Sequence, residues 1–357
     1  MAFVLRSFVT FAAAVALFSC ALLARAHVVP ALYVFGDSTI DAGNNNFLNT
    51  LAKTNFTPYG IDLCGKLPLG RATNGLTYAD FIAEHLGLPP PPPYLSFNDA
   101  KSRSKVTTGM NYASSSSGIL NHTGSRAGKC LPLSEQVGYF KKTVRHDLPR
   151  QIPLRGELKL HLKKSIILIS IAGNDYTLGY LMDEEMRKKH DVVSYTKLLV
   201  HYLAANVERM AKLGAKKFVV RGMPMISCRS PFFKVIEQQC DELGKEIIPL
   251  YNAQLIKSLD RLKAKHGILY TIIVPEKIEI SAAAAEIGSK FTYEPCCKIN
   301  EFGGCIKDSE PCKNRDDYLH FDAAHLTQVY HKFVADRCFD GISRTCQPYC
   351  ILELSAK

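Results

Sequence analysis

A serine, an aspartate and a histidine in this chain have the types and spacing of a hydrolytic triad. Ser38 follows a short apolar run that ends at Gly36, and a parallel strand that ends there would present the hydroxyl at the sheet edge where ligand crevices lie. A serine hydroxyl needs a base near neutral pH. His325 can accept its proton, and Asp322, three residues earlier, can orient the imidazole and stabilise its cation. A serine after a Gly-Asp turn is by itself typical of any turn, so the set carries the prediction.

Two further segments supply groups that could stabilise a negatively charged oxygen. Gly118 lies in the segment from Asn111 to Ile119, and without a side chain its backbone N–H can approach a ligand closely. Asn174 follows a second apolar run and offers a side-chain amide. With the N–H of Ser38, these groups predict an oxyanion hole of three donors.

The order of these motifs resembles the plant GDSL esterase/lipase family within the SGNH hydrolases. The resemblance extends from about Ala31 to Gly341, nearly the whole chain after its first residues. It rests on five groups of residues, which are Phe35-Gly36-Asp37-Ser38 with Asp41-Ala42-Gly43-Asn44-Asn45, Gly70-Arg71 with Asn74-Gly75, Asn111 to Ile119, Gly173-Asn174-Asp175, and Asp322 with His325.

The resemblance implies a role for each matching residue. Ser38 would be the nucleophile and the first oxyanion donor, Gly118 and Asn174 the other two donors, and Asp322 and His325 the acid and base. It also implies a flavodoxin-like α/β/α sandwich with a mostly parallel central sheet, which is the SGNH hydrolase fold.

The chain departs from the family pattern at three places. Ala172 stands where many members have glycine, and its methyl group would shift Asn174 if that backbone requires a positive φ. Leu326 stands where a proline often follows the histidine. Without the proline ring, the turn after His325 would be looser. Ser115 and Ser116 replace small residues. We expect the hydroxyls of Ser115 to Ser117 to bond the local backbone, with substrate contacts as the alternative. We expect the departures to affect rate and substrate fit rather than remove activity.

The N-terminal residues have the pattern of a secretory signal peptide. Within residues 1–26, Arg6 precedes an apolar stretch from Phe8 to Leu23, and Ala24-Arg25-Ala26 is an A-x-A cleavage pattern. A membrane anchor is the alternative, but polar residues interrupt the stretch and it is short for a span of about 20 residues. We therefore predict secretion to the apoplast or cell wall, no transmembrane segment after cleavage, and one domain over residues 27–357.

The cysteine content fits an oxidising compartment. Of 12 cysteines, Cys20 leaves with the signal peptide and 11 remain, which predicts a disulfide framework and one odd thiol or intermolecular bridge. Cys228 and Cys240 flank a short loop, and four cysteines cluster before the histidine motif, namely Cys296, Cys297, Cys305 and Cys312. A zinc site is the alternative, but adjacent cysteines are poorly spaced for tetrahedral ligation and the cluster contains no histidine. We predict no metal and no cofactor.

Surface features agree with a secreted protein. Sequons at Asn55-Phe56-Thr57 and Asn121-His122-Thr123 predict glycosylation on surface loops. The formal net charge is +11, and +9 without Arg6 and Arg25. The basic residues are scattered, whereas a nucleic-acid-binding surface would show a basic stripe with aromatic residues. We expect no nucleic-acid partner, and at most a weak attraction to acidic cell-wall polysaccharide.

The elements that must position these residues alternate between strand and helix. Helical spacing recurs over His201 to Leu213 and Leu243 to Leu259. This alternation predicts an α/β fold with a parallel sheet. Four apolar runs are typical of strands buried on both faces, namely Ala31 to Phe35, Ser165 to Ile171, Lys217 to Val220 and Ile268 to Val274.

The sequence as a whole predicts a secreted serine esterase or lipase that cleaves a lipid or a small acyl ester through an acyl-serine intermediate. No Gly-x-Ser-x-Gly motif is present, which disfavours the larger α/β-hydrolase fold. The alternative is an acyltransferase that passes the same acyl group to an alcohol. A third hypothesis is a catalytically inactive secreted binding or defence protein, which the complete set of site residues disfavours.

Overall fold

A computed structural model of the chain describes residues 28–223, 237–273, 285, 292, 294–341 and 345–357. Its sheet contains five strands, which are β1 (Leu32–Gly36), β2 (Ile166–Ser170), β3 (Lys217–Arg221), β4 (Leu269–Ile273) and β5 (Cys346–Gln347). The first four strands are the four predicted runs, each within one residue at either end. Nearly all their residues are buried, as expected for a sheet covered on both faces.

The sheet is mostly parallel, and its chain order is flavodoxin-like. Strands β1 to β4 are parallel neighbours in sequence order, and β5 pairs antiparallel with β4. On the free side of β1 runs an extended segment, residues 108–114. There the N–H of Val34 donates to the oxygen of Met110 at 2.9 Å, and the N–H of Tyr112 donates to the oxygen of Val34 at 2.8 Å. The chain therefore leaves β1 on one side and returns on the other, and this switch point is where such sheets place their ligand crevice.

Helices cover both faces of the sheet. They are α1 (Tyr78–His85), α2 (Ala100–Ser104), α3 (Leu133–Lys142), α4 (Arg155–Lys164), α5 (Gly173–Tyr176), α6 (Glu184–Lys189), α7 (Val192–Lys212), α8 (Glu237–His266), α9 (Gln328–Asp340) and α10 (Ile351–Ala356). Tyr33 and Phe35 of β1 pack in the core with α3, α7 and α8, whereas Leu32 and Val34 pack with α1, α9 and α10. This alternation of side chains builds the predicted α/β/α sandwich.

Helix α7 begins nine residues before the predicted start at His201. Asp191 is its N-cap, and its carboxylate accepts a hydrogen bond from the N–H of Ser194 at 2.7 Å. The predicted end at Leu213 lies one residue beyond the observed end at Lys212. Gly214, with a φ of 118°, follows the last turn and ends the helix.

Three disulfides lie in the described part of the chain. They join Cys296 to Cys312, Cys297 to Cys305 and Cys338 to Cys346. The cluster predicted to form bridges therefore does so, and its sulfurs are not the thiolates that a zinc site requires. Among the described side chains, the cysteines outside disulfides are Cys64, Cys130 and Cys350.

Some predictions fall outside these residues. The signal peptide, residues 1–26, and Cys228 of the suggested pair with Cys240 lie beyond the described ranges. No helix within those ranges is long and apolar enough to cross a membrane, and no group of three or more potential metal ligands occurs there.

Candidate active site

Ser38 lies in the turn that directly follows β1, at the carboxyl edge of the sheet. The turn is held against β2, because the N–H of Asp37 donates to the oxygen of Ser170 at 3.1 Å. A Cβ atom at Gly36 would lie 2.2 Å from that same carbonyl oxygen. Only glycine allows this close approach of the two strands. Gly36 therefore fixes the point at which the turn that carries Ser38 leaves β1.

The three residues of the predicted triad form one chain of hydrogen bonds. The Oγ of Ser38 lies 2.8 Å from the Nε2 of His325, although the residues are 287 positions apart. The Nδ1 of His325 lies 2.8 Å from the Oδ2 of Asp322 and 2.9 Å from its Oδ1. This is the geometry in which a histidine can take the serine proton while a carboxylate stabilises the resulting cation.

The turn that carries the aspartate and histidine is closed by its own backbone. The Oδ1 of Asp322 accepts hydrogen bonds from the N–H groups of Ala324 at 2.9 Å and His325 at 2.8 Å. The N–H of Phe321 donates to the oxygen of His325 at 2.7 Å. Leu326 pairs with His320 in an antiparallel bridge, so the turn is hydrogen-bonded at both ends with leucine in place of proline.

The charges of the pair support each other. Burial favours neutral forms of both groups, but the carboxylate of Asp322 outweighs this and raises the pKa of His325 above its ordinary value, with a further contribution from Asp37. In return, the histidine and the bonded N–H groups outweigh burial and lower the pKa of Asp322. Asp322 therefore stays ionised as the partner of the histidine.

Two of the predicted oxyanion donors, Gly118 and Asn174, lie side by side. The Nδ2 of Asn174 donates to the oxygen of Ser117 at 3.0 Å, which brings it next to Gly118. A Cβ atom on Gly118 would lie 2.5 Å from the Oδ1 of Asp175 and 2.5 Å from the Cγ2 of Thr123. Gly118 is therefore required for the packing of this loop.

Asp175 shapes the loop that follows Gly118. Its buried carboxylate accepts hydrogen bonds from the N–H of Ile119 at 2.8 Å, the N–H of Leu120 at 3.1 Å and the Oγ1 of Thr123 at 2.7 Å. Burial raises the pKa of Asp175 to about 6 despite these donors. These contacts give Asp175 a turn-shaping role.

Ala172 adopts a backbone conformation that favours glycine. Its φ is 123° and its ψ is −21°, directly before α5, which begins with Gly173 and Asn174. The backbone preceding Asn174 therefore does require a positive φ, and an L-residue is strained there.

The Ser117 hydroxyl bonds the local backbone as predicted, whereas the Ser115 hydroxyl bonds the side chain of Asp41. The Oγ of Ser117 donates to the oxygens of Gly36 at 3.0 Å and Ser114 at 2.7 Å. The N–H and the Oγ of Ser115 both donate to the Oδ2 of Asp41, at 3.0 and 3.2 Å. These bonds tie the Gly118 loop to the residues around Ser38.

Sequence reasoning missed two residues that hold the site. Gln136 on α3 accepts a hydrogen bond from the N–H of Gly36 at 2.9 Å and donates to the oxygen of the same residue at 2.8 Å. Its only signal in the sequence is a glutamine on the helix face that carries Leu133, Val137 and Phe140. The second is Tyr59, whose hydroxyl donates to the Oδ2 of Asp322 at 2.7 Å.

The asparagines of both predicted glycosylation sites are exposed. Asn55 lies in an irregular loop, and Asn121 lies in the turn after Gly118. The Oδ1 of Asn121 accepts a hydrogen bond from Ser134 at 2.8 Å. Glycosylation at these positions stays a prediction.

Comparison with known proteins gives a consistent result. Residues 32–338 match the family described as GDSL-like Lipase/Acylhydrolase. A GDSL esterase/lipase of Arabidopsis thaliana is 32% identical over 340 residues, which cover 91% of this chain and 87% of the relative. GDSL esterase/lipase 7 of the same plant is also 32% identical, over 92% of both chains. The resemblance inferred from the motifs is confirmed.

Proposed function

Because the chain belongs to the GDSL-like lipase/acylhydrolase family, we propose that it cleaves carboxylic esters through an acyl intermediate on Ser38. The observation that carries the mechanism is the 2.8 Å contact between the Oγ of Ser38 and the Nε2 of His325, with Asp322 hydrogen-bonded behind the histidine. These contacts support an enzyme rather than an inactive binding or defence protein.

In the first step, the Oγ of Ser38 attacks the ester carbonyl carbon and its proton moves to the Nε2 of His325. Asp322 stabilises the imidazolium that forms. The carbonyl oxygen becomes an oxyanion, which the N–H groups of Ser38 and Gly118 and the amide of Asn174 would stabilise. An amide NH₂ group has two hydrogens, so Asn174 can keep its bond to the backbone and still donate to the oxyanion.

In the second step, the C–O bond of the ester breaks, and His325 gives its proton to the departing alkoxide. The alcohol leaves, and an acyl group remains on Ser38. Water then attacks the acyl carbon while His325 takes its proton, and collapse of the second tetrahedral intermediate releases the acid and restores Ser38. If an alcohol takes the place of water, the same intermediate yields a new ester, which is the acyltransferase alternative.

We propose that the enzyme is secreted and works in the apoplast or cell wall. The signal-peptide pattern of residues 1–26, the exposed sequons at Asn55 and Asn121, and three disulfides all support this location. Residues 27–357 would form the mature domain. The positive net charge is compatible with a weak attraction to acidic polysaccharide.

A fluorophosphonate probe tests the nucleophile, because it reacts quickly only with an activated serine. The probe should label Ser38, and Ser38→Ala should lose both labelling and turnover of a p-nitrophenyl ester. Ser96→Ala is a suitable control, since Ser96 only bonds the oxygen of Pro93 in a surface turn. If Ser38→Ala is labelled as strongly as the wild type, another residue is the nucleophile.

Product analysis separates hydrolysis from transfer. With one acyl donor and increasing amounts of an alcohol acceptor, a hydrolase releases mainly free acid. A transferase forms mainly the new ester at acceptor concentrations far below that of water. Dominant ester formation would therefore favour the alternative.

A further inference from the structure

Tyr59 lies between the aspartate of the triad and a disulfide-closed loop. The side chain is only 2% exposed, and its ring packs edge to face against Phe56 and Phe321, with centroids 5.3 and 5.7 Å away. Phe321 directly precedes Asp322. The ring is therefore fixed by the same turn that carries the carboxylate.

The hydroxyl of Tyr59 is saturated by two directed hydrogen bonds. It accepts from the N–H of Cys305 at 3.0 Å and donates to the Oδ2 of Asp322 at 2.7 Å. The accepted bond leaves the phenolic hydrogen only the carboxylate as its target. The hydroxyl is thus oriented by the Cys305 backbone toward the aspartate.

The contact with Asp322 involves Oδ2, one of the two carboxylate oxygens that face the histidine. The Oδ2 of Asp322 lies 2.8 Å from the Nδ1 of His325 and accepts the Tyr59 hydroxyl as well. The backbone N–H groups of Ala324 and His325 hold only the other oxygen. Among the described residues, Tyr59 is therefore the side-chain donor, apart from the histidine, that fixes the Oδ2 atom.

The Cys305 backbone is itself held in place. Cys305 is bonded to Cys297 through a disulfide, and the N–H of Cys297 donates to the oxygen of Phe321 at 3.0 Å. In the same loop, the oxygen of Gly303 accepts a hydrogen bond from the N–H of Ala323 at 3.0 Å. The loop from Cys297 to Cys305 and the triad turn thus form one hydrogen-bonded unit, with Tyr59 at its centre.

We propose that Tyr59 is a positioning residue that holds the carboxylate of Asp322 toward His325 and links it to the loop closed by the Cys297–Cys305 disulfide. This inference rests on the proposed function, because it assigns Tyr59 to the triad that the proposal describes. A donor to Oδ2 draws negative charge away from a carboxylate oxygen that faces the histidine. Without it, Asp322 should hold the protonated histidine more tightly.

The ionisable groups around His325 allow a clear readout. Asp322 and Asp37 raise the pKa of the histidine, and His331, whose own pKa falls to about 3 because of its burial and the nearby Arg221, remains neutral near pH 7. Replacement of Tyr59 by phenylalanine keeps all of these residues, and among them it changes only Asp322, which loses the hydroxyl donor. A shift of the acidic limb of the pH profile therefore reports on the Tyr59 hydroxyl itself.

The primary test is Tyr59→Phe, which removes the hydroxyl and keeps the ring. We expect kcat to fall by about 10-fold or more with KM little changed, since a hydrogen bond to a charged group is lost. The acidic limb of the kcat/KM profile should move to higher pH, with a change of about twofold or more in the ionisation constant. Rates are normalised to the fraction of enzyme that a fluorophosphonate labels, which removes effects of misfolded protein.

Tyr270→Phe is the matched control. Tyr270 is also a buried tyrosine that donates to a carboxylate, the Oδ1 of Asp260 at 2.6 Å, and it lies in β4, away from the triad. We expect this variant to keep the wild-type kcat and pH profile. If Tyr59→Phe behaves like Tyr270→Phe, the proposal is wrong.

A second variant covers the case in which Tyr59→Phe does not fold. Replacement of Tyr59 by 3-fluorotyrosine keeps the ring and makes the hydroxyl a stronger donor, so the acidic limb should move to lower pH. An unchanged limb in this variant would overturn the inference. The proposed function fails by a different result, namely a wild-type enzyme that neither cleaves esters nor reacts with the probe at Ser38.

Discussion

Substitution of Gln136 tests whether α3 fixes the position of the turn that carries Ser38. Its buried amide accepts from the N–H of Gly36 at 2.9 Å, and donates to the oxygens of Gly36 at 2.8 Å and Leu131 at 2.7 Å. The oxygen of Gly36 has other donors, namely the N–H of Ser114 at 3.1 Å and the Oγ of Ser117 at 3.0 Å. The variant Gln136→Leu would therefore orphan the Gly36 N–H and the Leu131 oxygen.

The expected cost follows from these two orphaned groups. Each buried, unsatisfied backbone group costs about 1–3 kcal/mol, and the apolar surface that leucine buries offsets part of this, about 1 kcal/mol. We expect Gln136→Leu to lower the free energy of unfolding by about 1–5 kcal/mol. At about 2 °C per kcal/mol for a domain of this size, Tm should fall by about 2–10 °C.

The same variant should slow the reaction, because Gly36 lies two residues before Ser38. A displacement of about 1 Å at a reacting group can cost about 10²-fold in rate, so we expect kcat per labelled serine to fall by about 10-fold or more. The assay combines a thermal melt with ester turnover, normalised by fluorophosphonate labelling. Gln151→Leu is the control, because Gln151 is exposed directly after the 3-10 helix Leu148–Arg150.

Gln136→Glu adds a pH dependence with a defined sign. A buried glutamate has a folded pKa above its unfolded value of about 4.3. Its protonated form can accept from Gly36 and donate one hydrogen bond, whereas its ionised form cannot donate. The Tm of Gln136→Glu should therefore approach that of the wild type at low pH and fall relative to it as pH rises. A Gln136→Leu variant with the Tm and kcat of the wild type would refute the argument that Gln136 holds Gly36 in place.

Three further predictions concern the site itself. Asn174→Ala should lower kcat by about 10²-fold with KM less affected, because the donor acts on charge that develops in the transition state; a change confined to KM would make Asn174 a binding residue. The carboxylate of Asp322 raises the pKa of His325, so kcat/KM should fall with decreasing pH around a midpoint above the ordinary histidine pKa of 6.5. A midpoint below 6.5 would contradict the pairing of the two residues. In Asp322→Asn the midpoint should decrease. In Ala172→Gly, relief of the positive φ should stabilise the fold by about 1–3 kcal/mol. The lost methyl group and the added entropy of the unfolded chain should cost about 1.5 kcal/mol, so Tm should stay level or rise slightly. A fall of several degrees would show that the alanine is not strained.

The sequence alone determined the four parallel strands of the sheet, because their signal is local, but it did not reveal β5. Apolar, β-branched runs buried on both faces gave four strands whose bounds match the structure within one residue. The ends of helices depend on caps, and Asp191 was a cap that periodicity did not reveal. The extended segment beside β1 was also missed, because residues 108–114 are of mixed polarity and become a strand neighbour only through hydrogen bonds to Val34 and its flanking residues.

The sequence also determined the residue types of the candidate site, since the side chains of Ser38, Asp322 and His325 are the groups that the proposed chemistry requires. Only the tertiary structure decided that an imidazole reaches a hydroxyl 287 positions away. It alone revealed Gln136 and Tyr59, because neither residue is reactive and each acts through a hydrogen bond to a distant part of the chain. Chemical identity is written in the sequence, whereas the positioning of those groups depends on contacts that exist only after folding.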